Sequence, residues 1–430
     1  MLDLRLIRRQ PDLVRETLRR RGLDPALVDR VLALDERRRA VVQETEAARA
    51  THKRLSAEVA RLEGEAQAAR LAEARALAER LRALEADLRA ADEALETALR
   101  ALPNLLHATV PPGDATANRV VRTWGEPPSF PFPPRDHVDL GTALGILDLE
   151  RGAKVAGSRF YYLLGDGALL EMALVRYALD VLLRHGFLPV IPPVLVRPRV
   201  ITGAWGGVAF DPQQTYLLPE DDLALIGTSE QSLAGLYMDE TLEADRLPLR
   251  LAGISWCFRR EAGSYGRDVR GLFRVHQFDK VEMFSYAHPE RSWEEHEFLV
   301  RVEEEILQGL GIPYRVVLLA GGDTGAASAK TYDIEAWMPG RGGWGEVTSC
   351  SNTTDFQARR LGLRFREGRR SDYVHTLNGT AVATSRALIA VLENYQQADG
   401  SVAVPEVLRP YLEGRTALRP VAPRRAMTPS

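Results

Sequence analysis

The sequence predicts an α+β fold in two parts, an N-terminal antiparallel two-helix coiled-coil arm followed by a domain built on antiparallel strands. From about residue 28 to 102, apolar side chains recur at helical spacings and proline is absent. Leu251–Phe258 and Leu272–Phe284 are strand-like runs separated by a polar loop, which is the pattern of a β-hairpin. Thr331–Met338 and Gly345–Cys350 alternate in polarity around a glycine-rich turn, which predicts a second antiparallel pair.

The composition is that of an ordinary soluble protein with two or three domains: 430 residues, 45% hydrophobic and 27% charged. With a formal net charge of −3, any nucleic-acid-binding surface must be a local basic patch. Cys257 and Cys350 form no CxxC pair, so they predict neither a zinc site nor a disulfide framework. No apolar run reaches the ~18 residues of a membrane span, and the first residues do not resemble a signal peptide. We expect a cytoplasmic protein.

Residues 1–112 are predicted to form a helical domain dominated by two long helices. Gly64 is the only glycine between residues 28 and 102, and it separates two apolar stripes. The first stripe repeats every seven residues and the second alternates by three and four: Leu34, Val41, Ala48, Leu55, Leu62, then Leu77, Leu81, Leu84, Leu88, Ala91, Leu95 and Ala98. We expect an antiparallel hairpin that folds back at Gly64–Gln67. Its arms of ~35 residues would be ~50 Å long, so the hairpin would project.

Basic residues cluster toward the tip of this arm, and two interpretations compete. The commoner role of a projecting coiled coil is dimerisation or spacing. A patch of cations, however, attracts phosphate backbones, and a long rod can follow an RNA helix by its shape. The residues expected to contact RNA are Arg49, Lys53, Arg54, Arg61 and Arg70.

Residues 113–430 are predicted to form the second domain. The segment 103–134 that leads into it is rich in proline and should be extended and semi-rigid. A helix predicted at Glu171–His185 precedes a strand, Phe187–Val196, whose prolines predict a sheet edge. The C-terminal tail is basic and contains proline, so we expect disorder from about residue 416.

Three segments of the second domain resemble the motifs of class II aminoacyl-tRNA synthetases, in the form found in seryl-tRNA synthetases. FRREAGSYGRDVRGLFRVHQFDKVEMF resembles motif 2, FPPRDHVDLG with the helix after it resembles motif 1, and HTLNGTAVATSRALIAVLENYQ resembles motif 3. The motifs follow the family's order, and the resemblance covers nearly the whole chain. It implies a class II catalytic domain, an antiparallel sheet flanked by helices, that forms a homodimer through motif 1.

The resemblance also implies the reaction and its partners. ATP activates L-serine to seryl-adenylate, and the serine is then transferred to the 3′ end of tRNA(Ser), and of tRNA(Sec). Mg²⁺ would bridge the ATP phosphates, and the N-terminal arm would grip the tRNA. The chain would therefore be an ATP-dependent, AMP-forming serine–tRNA ligase.

The resemblance assigns the ATP site residue by residue. Arg259 matches the arginine that bridges the serine carboxylate and the α-phosphate, and Glu261 the acid that reads the adenine amino group. Arg274 and Arg386 match arginines that hold the γ-phosphate, and Phe278 the aromatic residue that stacks on adenine. The three arginines are the implied catalytic residues, because guanidinium groups bind phosphate and carboxylate oxygens through paired, charge-assisted hydrogen bonds. Without the resemblance, this hairpin could equally be a charged surface feature.

The implied serine site combines two carboxylates with hydroxyl and amide groups. It comprises Arg259 together with Thr228, Glu230, Glu282, Asn378 and Thr380. Without the resemblance, Thr228 and Glu230 would predict only a helix cap beside an acid. A site built to bind a hydroxyl group can strongly reject an analogue that lacks it.

The implied metal site consists of Glu346 and Ser349, which also belong to the ATP site. Hard oxygen ligands completed by phosphate oxygens suit Mg²⁺. Taken alone, a carboxylate and a hydroxyl three residues apart would more often be surface residues.

Two positions depart from the family pattern. Arg260 stands where a small serine is usual, and strand alternation would point it away from the site. Gly345 stands where an arginine usually precedes Glu346, so ATP binding would weaken unless another basic residue compensates. Two alternatives stay open: a paralogue that loads an acceptor other than tRNA, against which the arm argues, and a paralogue with weakened catalysis.

Overall fold

The computed structural model describes residues 1–205, 213–262 and 270–420. The chain folds into two compact units, Met1–Pro103 and Asn104–Ser430. The boundary expected from the sequence, after residue 112, lies slightly later in the chain. None of the helices in the described ranges combines the length and apolarity that crossing a membrane requires.

The first unit consists of helices. They are α1 (Leu4–Arg9), α2 (Pro11–Arg20), α3 (Ala26–Val59) and α4 (Gly64–Ala101). The ion pairs Arg38–Asp92 and Arg49–Glu85 join α3 to α4 in opposite directions, as an antiparallel hairpin requires. The chain turns at residues 60–63, just before the predicted Gly64–Gln67, and Gly64 enters α4 with a φ of +63° that favours glycine.

The interface between α3 and α4 follows the predicted stripes, none of whose positions is exposed. The buried apolar residues of the two helices are Val28, Val31, Leu55, Ala74, Leu84, Ala91, Leu95 and Leu99. Asp35 is a buried exception with 1% exposure, and Arg8 Nε donates a hydrogen bond of 2.8 Å to it. That guanidinium lowers the pKa of Asp35, so the carboxylate is kept charged inside the helical unit.

The second unit combines short and long strands with helices. Its strands are β1 (Arg119–Trp124), β2 (Leu147–Asp148), β3 (Tyr162–Leu163), β4 (Leu188–Val190), β5 (Leu195–Val196), β6 (Leu217–Leu218), β7 (Leu223–Leu225), β8 (Thr241–Glu243), β9 (Leu249–Phe258), β10 (Gln277–Ala287), β11 (Tyr314–Leu318), β12 (Lys330–Met338), β13 (Gly343–Asn352), β14 (Arg364–Glu367), β15 (Arg370–Tyr373), β16 (His375–Ala383), β17 (Val402–Ala403) and β18 (Ala417–Leu418). Its α-helices are α5 (His137–Ala143), α6 (Leu149–Ala156), α7 (Asp166–Arg184), α8 (Pro198–Trp205), α9 (Ser229–Ala234), α10 (Ser292–Gly309), α11 (Phe356–Leu361) and α12 (Thr384–Asn394).

Among the described residues, eight strands form one sheet in the order β1-β11-β12-β13-β16-β10-β9-β4. Every neighbouring pair is antiparallel except β4 and β9, which run parallel. The proline-bearing β4 lies at the edge of this sheet, which confirms the prediction from Pro189. The predicted α+β architecture is therefore confirmed.

The helices α7, α10 and α12 contribute to the main apolar core of the sheet, through residues such as Leu174, Ile306 and Leu388. On β10, Val281 and Met283 belong to this core. Because successive side chains of a strand point to opposite faces, the even-numbered polar residues of β10 lie on the other face. That face carries the site.

One element was not predicted from the sequence, and two expectations need correction. The proline-rich segment 103–134 contains a strand, β1, whose residues are all exposed and therefore show no hydrophobic alternation. The alternating strand before the helix of motif 3 is predicted from its Asn-Gly pair to break at Asn378–Gly379, but β16 runs unbroken through both residues. Gly379 allows close packing instead, because a Cβ there would lie 3.0 Å from Glu303 Oε1. The tail is ordered beyond residue 416, since β18 pairs with β17. Residues 421–430 lie outside the described part of the chain.

Candidate active site

A cavity of about 240 Å³ on the sheet is lined by every residue that the sequence assigned to serine, ATP or metal. These residues are Thr228, Glu230, Arg259, Glu261, Arg274, Phe278, Glu282, Glu346, Ser349, Asn378, Thr380 and Arg386. They come from β9, β10, β13, β16, α9, α12 and the segments beside them. Positions far apart in sequence are thus brought together by the central strands of one sheet.

The hairpin of β9 and β10 fixes the centre of the cavity. Arg259 follows β9 directly, and its guanidinium carbon lies 5.4 Å from the centroid of the Phe278 ring. Its Nε donates a hydrogen bond of 3.1 Å to the carbonyl of Gly227. His276, which directly precedes β10, supports Arg259: its Nδ1 lies 2.8 Å from the Arg259 carbonyl, and its own carbonyl accepts from the Arg259 N–H.

The inner end of the cavity holds two buried carboxylates. Gln357 Nε2 donates to Glu230 Oε1 at 2.7 Å, and Asn378 Nδ2 lies 3.2 Å from Glu230 Oε2 and 3.3 Å from Glu282 Oε1. Thr380 Oγ1 lies 3.4 Å from Glu282 Oε2. Burial, and secondarily the charge of Glu282, raises the pKa of Glu230 to about 7. An ammonium group entering here would stabilise the ionised form of Glu230.

Thr228 is both a helix cap and a lining residue of the cavity. It is the N-cap of α9, where its Oγ1 accepts a hydrogen bond of 3.2 Å from the Glu230 N–H. Both residues also line the cavity. The cap therefore fixes the direction in which Glu230 enters the site.

Lys280 is a lining residue that was not predicted from the sequence. It is 6% exposed and forms an ion pair with Glu282. Strand alternation would have revealed it, because residues 278, 280 and 282 of β10 point to one face. The lining further includes Trp205, Phe273, Thr348 and Ser385, which were not singled out either.

The outer end of the cavity carries arginines paired with carboxylates. Arg274 Nη1 binds Glu261 Oε2 at 2.5 Å, and Arg386 Nη1 lies 2.8 Å from Glu346 Oε1. Arg386 also lies in the first turn of α12, where backbone N–H groups and the helix dipole favour anions. Anionic oxygens arriving here would meet two guanidinium groups.

Glu346 and Ser349 offer oxygen atoms to a cation. Asp333 lies opposite Ser349 in the register of β12 and β13, and its buried Oδ1 has no hydrogen-bond partner among the described residues. Within the described ranges, no group of three or more histidine, cysteine, aspartate and glutamate residues is arranged to hold a metal ion. The oxygen donors of Glu346 and Ser349 would suit a hard cation such as Mg²⁺, whose remaining ligands would come from phosphates and water.

Gly345 occupies a tightly packed position. A Cβ there would lie 2.7 Å from Met338 Sδ and 2.9 Å from Phe273 Cε2. The ring of Phe273 has the guanidinium carbon of Arg341 at 4.7 Å and that of Arg386 at 4.8 Å from its centroid. An aromatic ring flanked by cations thus fills the space beside this glycine.

The basic residues predicted for RNA lie in the first unit and are exposed. Arg49, Lys53 and Arg54 are on α3, Arg61 is in the turn, and Arg70 is on α4. Two of them also pair with acids: Arg49 Nη2 lies 2.8 Å from Glu85, and Arg70 Nη1 lies 2.7 Å from Glu73.

Comparison with known proteins places this geometry in a family. A model of the tRNA synthetase class II core domain (G, H, P, S and T) matches residues 216–395, and a model of the seryl-tRNA synthetase N-terminal domain matches residues 1–106. A serine–tRNA ligase of Streptomyces coelicolor is 50% identical over 425 residues, which cover 98% of this chain and all of the relative. The chain belongs to the seryl-tRNA synthetases. A serine–tRNA ligase of Rubrobacter xylanophilus is also 50% identical, over 98% of this synthetase and 99% of the relative.

Solved structures agree with this membership. The crystal structure of seryl-tRNA synthetase from Pyrococcus horikoshii complexed with ATP superposes on the synthetase with a TM-score of 0.92 at 44% identity, covering 98% of this chain and all of that one. The cytoplasmic serine–tRNA ligase of Naegleria fowleri in complex with AMP gives a TM-score of 0.86 at 35% identity, covering 97% of this chain and 99% of that one.

Proposed function

We propose that this chain is a serine–tRNA ligase that uses ATP, and that the cavity on the sheet is the place where serine is activated. The observation that carries the proposal is the convergence of all motif-assigned serine and ATP residues on one cavity. Membership of the seryl-tRNA synthetases supports the choice of serine. The ATP in the solved relative supports the nucleotide.

Serine binds at the inner end of the cavity. Glu230 and the Thr228 hydroxyl receive its ammonium group, and Glu282 receives its side-chain hydroxyl. Asn378 and Thr380 hold these carboxylates through the hydrogen bonds described above. A substrate lacking the hydroxyl leaves buried polar groups unpaired, which disfavours it strongly.

Activation forms one bond and breaks another at the α-phosphorus. A serine carboxylate oxygen attacks, the bond to the β-phosphate breaks, and pyrophosphate leaves. Arg259 lines the same cavity as the inner carboxylates, and its guanidinium carbon lies 5.4 Å from the ring centroid of Phe278, which supports a bridge between the serine carboxylate and the α-phosphate. No strong acid or base is required because the attacking carboxylate is already ionised. Rate enhancement comes from positioning and from charge stabilisation.

The outer end of the cavity holds the nucleotide. Phe278 stacks on adenine, Glu261 reads its amino group, and Arg274 and Arg386 hold the γ-phosphate. Glu346 and Ser349 would hold Mg²⁺, which when bound neutralises phosphate charge. In the second step the terminal adenosine hydroxyl of tRNA(Ser), or of tRNA(Sec), attacks the activated carbonyl and AMP leaves.

The helical arm binds tRNA through Arg49, Lys53, Arg54, Arg61 and Arg70, which we propose contact its phosphate backbone. These side chains are exposed on one helical hairpin, and RNA helices are recognised largely by shape and phosphate contacts. The reaction takes place in the cytoplasm.

The second unit forms a homodimer through the motif 1 region. Apolar side chains there are unusually exposed: Val155 by 70%, Met172 by 68%, Leu188 by 57% and Ile191 by 84%. Contiguous exposed apolar surface is typical of protein interfaces, and we propose that these residues form such a surface. The edge strand β4 belongs to the same region.

The direct test is ATP–pyrophosphate exchange with serine, and with threonine, alanine and cysteine as controls. Exchange with serine alone is the expected result, followed by charging of tRNA(Ser). Exchange without tRNA charging would indicate a different acceptor. Exchange with none of the amino acids would indicate a paralogue with weakened catalysis and contradict the proposal.

A further inference from the structure

The imidazole of His137, the first residue of α5, is held at both nitrogens. Its Nε2 accepts a hydrogen bond of 3.0 Å from the Leu272 N–H, and its Nδ1 lies 2.9 Å from Glu393 Oε1. Because Nε2 accepts, it carries no proton, and the proton lies on Nδ1 and is donated to Glu393. These contacts assign one neutral tautomer to a side chain that is 7% exposed.

The carboxylate of Glu393 gathers a second set of contacts. It lies near the end of α12 and is 1% exposed. Besides the imidazole, Oε1 accepts the His137 backbone N–H at 3.0 Å, and Oε2 accepts the Gly340 N–H at 2.9 Å. A buried acceptor of this kind is costly to leave unpaired, so removing one partner disturbs the others.

The two segments held in this way both lead to the outer end of the cavity. Leu272 directly precedes Phe273 and Arg274, which line it. Gly340 directly precedes Arg341, which is outside the lining and reaches it through the ring of Phe273. The guanidinium carbon of Arg341 lies 4.7 Å from the centroid of the Phe273 ring. The two segments therefore meet at this ring.

Both segments press their backbones against the start of α5. A Cβ at Gly271 would lie 2.0 Å from His137 Nε2, and a Cβ at Gly340 would lie 2.4 Å from the α-carbon of Asp136. Arg270 adds an outer clasp, with Nη1 at 2.7 Å from Asp136 Oδ2 and Nη2 at 2.5 Å from Asp139 Oδ1. The start of α5 is thus the common support of two segments that are distant in sequence.

We propose that His137 and Glu393 are positioning residues that hold residues 270–274 and the turn 339–342 at the spacing required by the triphosphate of ATP. The inference rests on the proposed role of Arg274 at the phosphates. Neither residue belongs to the lining of the cavity. Each acts through the backbone of the segment that it holds.

Loss of the pair should affect the two substrates unequally. The outer segments would shift relative to Arg386, and a displacement of about 1 Å far from the reacting atoms can lower the rate by about 100-fold. Thr228 and Glu230, which are proposed to bind the substrate serine, belong to the cap and first turn of α9 and take no part in these contacts. We therefore expect a change in the constants for ATP and little change in those for serine.

The experiment measures ATP–pyrophosphate exchange for His137→Ala, with ATP varied at saturating serine and serine varied at saturating ATP. The KM for ATP should rise by about 10-fold or more while the KM for serine changes by less than about 3-fold. His137→Gln keeps an acceptor that can reach the Leu272 N–H and should restore part of the ATP affinity. His137→Asn reaches only toward Glu393 and should restore less.

Gln396→Ala is the matched control. Gln396 is also buried, two residues after α12, and it holds the chain just before α5: its Oε1 accepts the Arg135 N–H at 2.8 Å and its Nε2 donates to the Arg135 carbonyl at 3.1 Å. Its Nε2 also donates to the backbone carbonyl of Glu393 at 2.8 Å, but its side chain is hydrogen-bonded to neither the imidazole of His137 nor the carboxylate of Glu393. It should lower the melting temperature without raising the KM for ATP selectively. Arg270→Gln alters an exposed side chain, leaves the core intact and should raise the KM for ATP modestly.

The outcomes separate the inference from the proposed function. If Gln396→Ala raises the KM for ATP as much as His137→Ala does, or if the KM for serine rises in parallel, the positioning role is wrong. If Arg274→Ala raises the KM for ATP but His137→Ala does not, only the positioning role fails. If Arg274→Ala leaves the KM for ATP unchanged, the proposed ATP site itself is wrong.

Discussion

The raised pKa of Glu230 gives serine binding a pH dependence. Burial raises this pKa to about 7, and the proposed role of the carboxylate requires its ionised form. The kcat/KM for serine in the exchange reaction should therefore rise by about 10-fold between pH 6 and pH 8. Glu230→Gln should bind serine weakly and lose this dependence. A flat profile for the unaltered protein over the same range would contradict the assignment.

The same shift affects the free energy of unfolding. The pKa of Glu230 is raised above its ordinary value of 4.5, so folding favours the protonated carboxyl. This stabilisation is fully present below pH 4.5 and is lost as the pH rises through about 7. In the absence of serine, urea titrations should show Glu230→Gln to be less sensitive to pH across this range, and an unchanged pH dependence would count against the shift.

The packing around Gly345 predicts that Gly345→Arg lowers activity, whereas a paralogue weakened by the missing arginine would gain activity from the same substitution. If the missing arginine alone weakened the enzyme, Gly345→Arg would raise activity. The contacts of a Cβ with Met338 and Phe273 instead predict overpacking, which typically costs about 1–3 kcal/mol of stability. We expect a lower melting temperature and slower exchange.

Gly343 provides the control for this substitution. It lies two residues earlier on β13, and a Cβ there meets nothing within 4 Å. Gly343→Ala should be nearly neutral, whereas Gly345→Ala should already be destabilising. Faster exchange by Gly345→Arg would show that the space can be reorganised and would favour the weakened paralogue.

At the scale of the elements, we expect substitutions on the hairpin of α3 and α4 to impair the transfer of serine to tRNA without affecting the activation of serine by ATP. Replacing Lys53 and Arg54 by glutamate should lower the kcat/KM for tRNA charging by about 10-fold or more and flatten its salt dependence, because phosphate contacts are lost. ATP–pyrophosphate exchange with serine should be unchanged.

Arg37→Glu is the control for this charge reversal. Arg37 is an exposed arginine on the same helix, nearer its beginning and outside the predicted patch. Equal losses of charging for Arg37→Glu and for the Lys53 and Arg54 variants would mean that net charge, rather than the tip of the arm, attracts tRNA.

The elements differ in how far sequence alone could predict them. The long helices and the β9–β10 hairpin have strong apolar periods, and the structure confirms them, although β10 begins at Gln277 rather than at the predicted Leu272. The strand β1 could not be found by periodicity because it is exposed along its whole length. The strand break expected at Gly379 was wrong. The glycine instead makes room for the side chain of Glu303 from α10, a contact between residues distant in sequence.

The candidate site likewise contains some residues that the sequence could predict and others that it could not. The motifs identified residues that point into the cavity, and alternation along β10 would have added Lys280. Phe273 and Arg341 come together only when residues 270–274 and 339–342 have packed against the start of α5. Their contact has no local signature, and neither does the link between His137 and Glu393.

At the scale of the whole molecule, the exposed apolar residues predict a dimer that a single charge should disrupt. Ile191 is 84% exposed and lies just after the edge strand β4. Ile191→Asp should shift the protein from dimer to monomer in light scattering and lower its exchange activity.

Leu23→Asp is the matched control for that experiment. Leu23 is an exposed leucine of the first unit, with 43% exposure. This variant should stay dimeric. A dimer that persists in Ile191→Asp at the lowest measurable concentration would place the interface elsewhere.

The ion pair of Lys280 with Glu282 helps to set the net charge at the inner end of the cavity. Two carboxylates and one ammonium leave a single net negative charge there when Glu230 is ionised. Arg259 adds a positive charge beside it. The site is thus a dipole whose ends match a zwitterion, so an amino acid enters without leaving surplus charge, whereas an amine without a carboxylate would leave Arg259 uncompensated. Charge balance would therefore favour any ligand that carries both an ammonium and a carboxylate group, and the side-chain contacts would then distinguish serine from other amino acids.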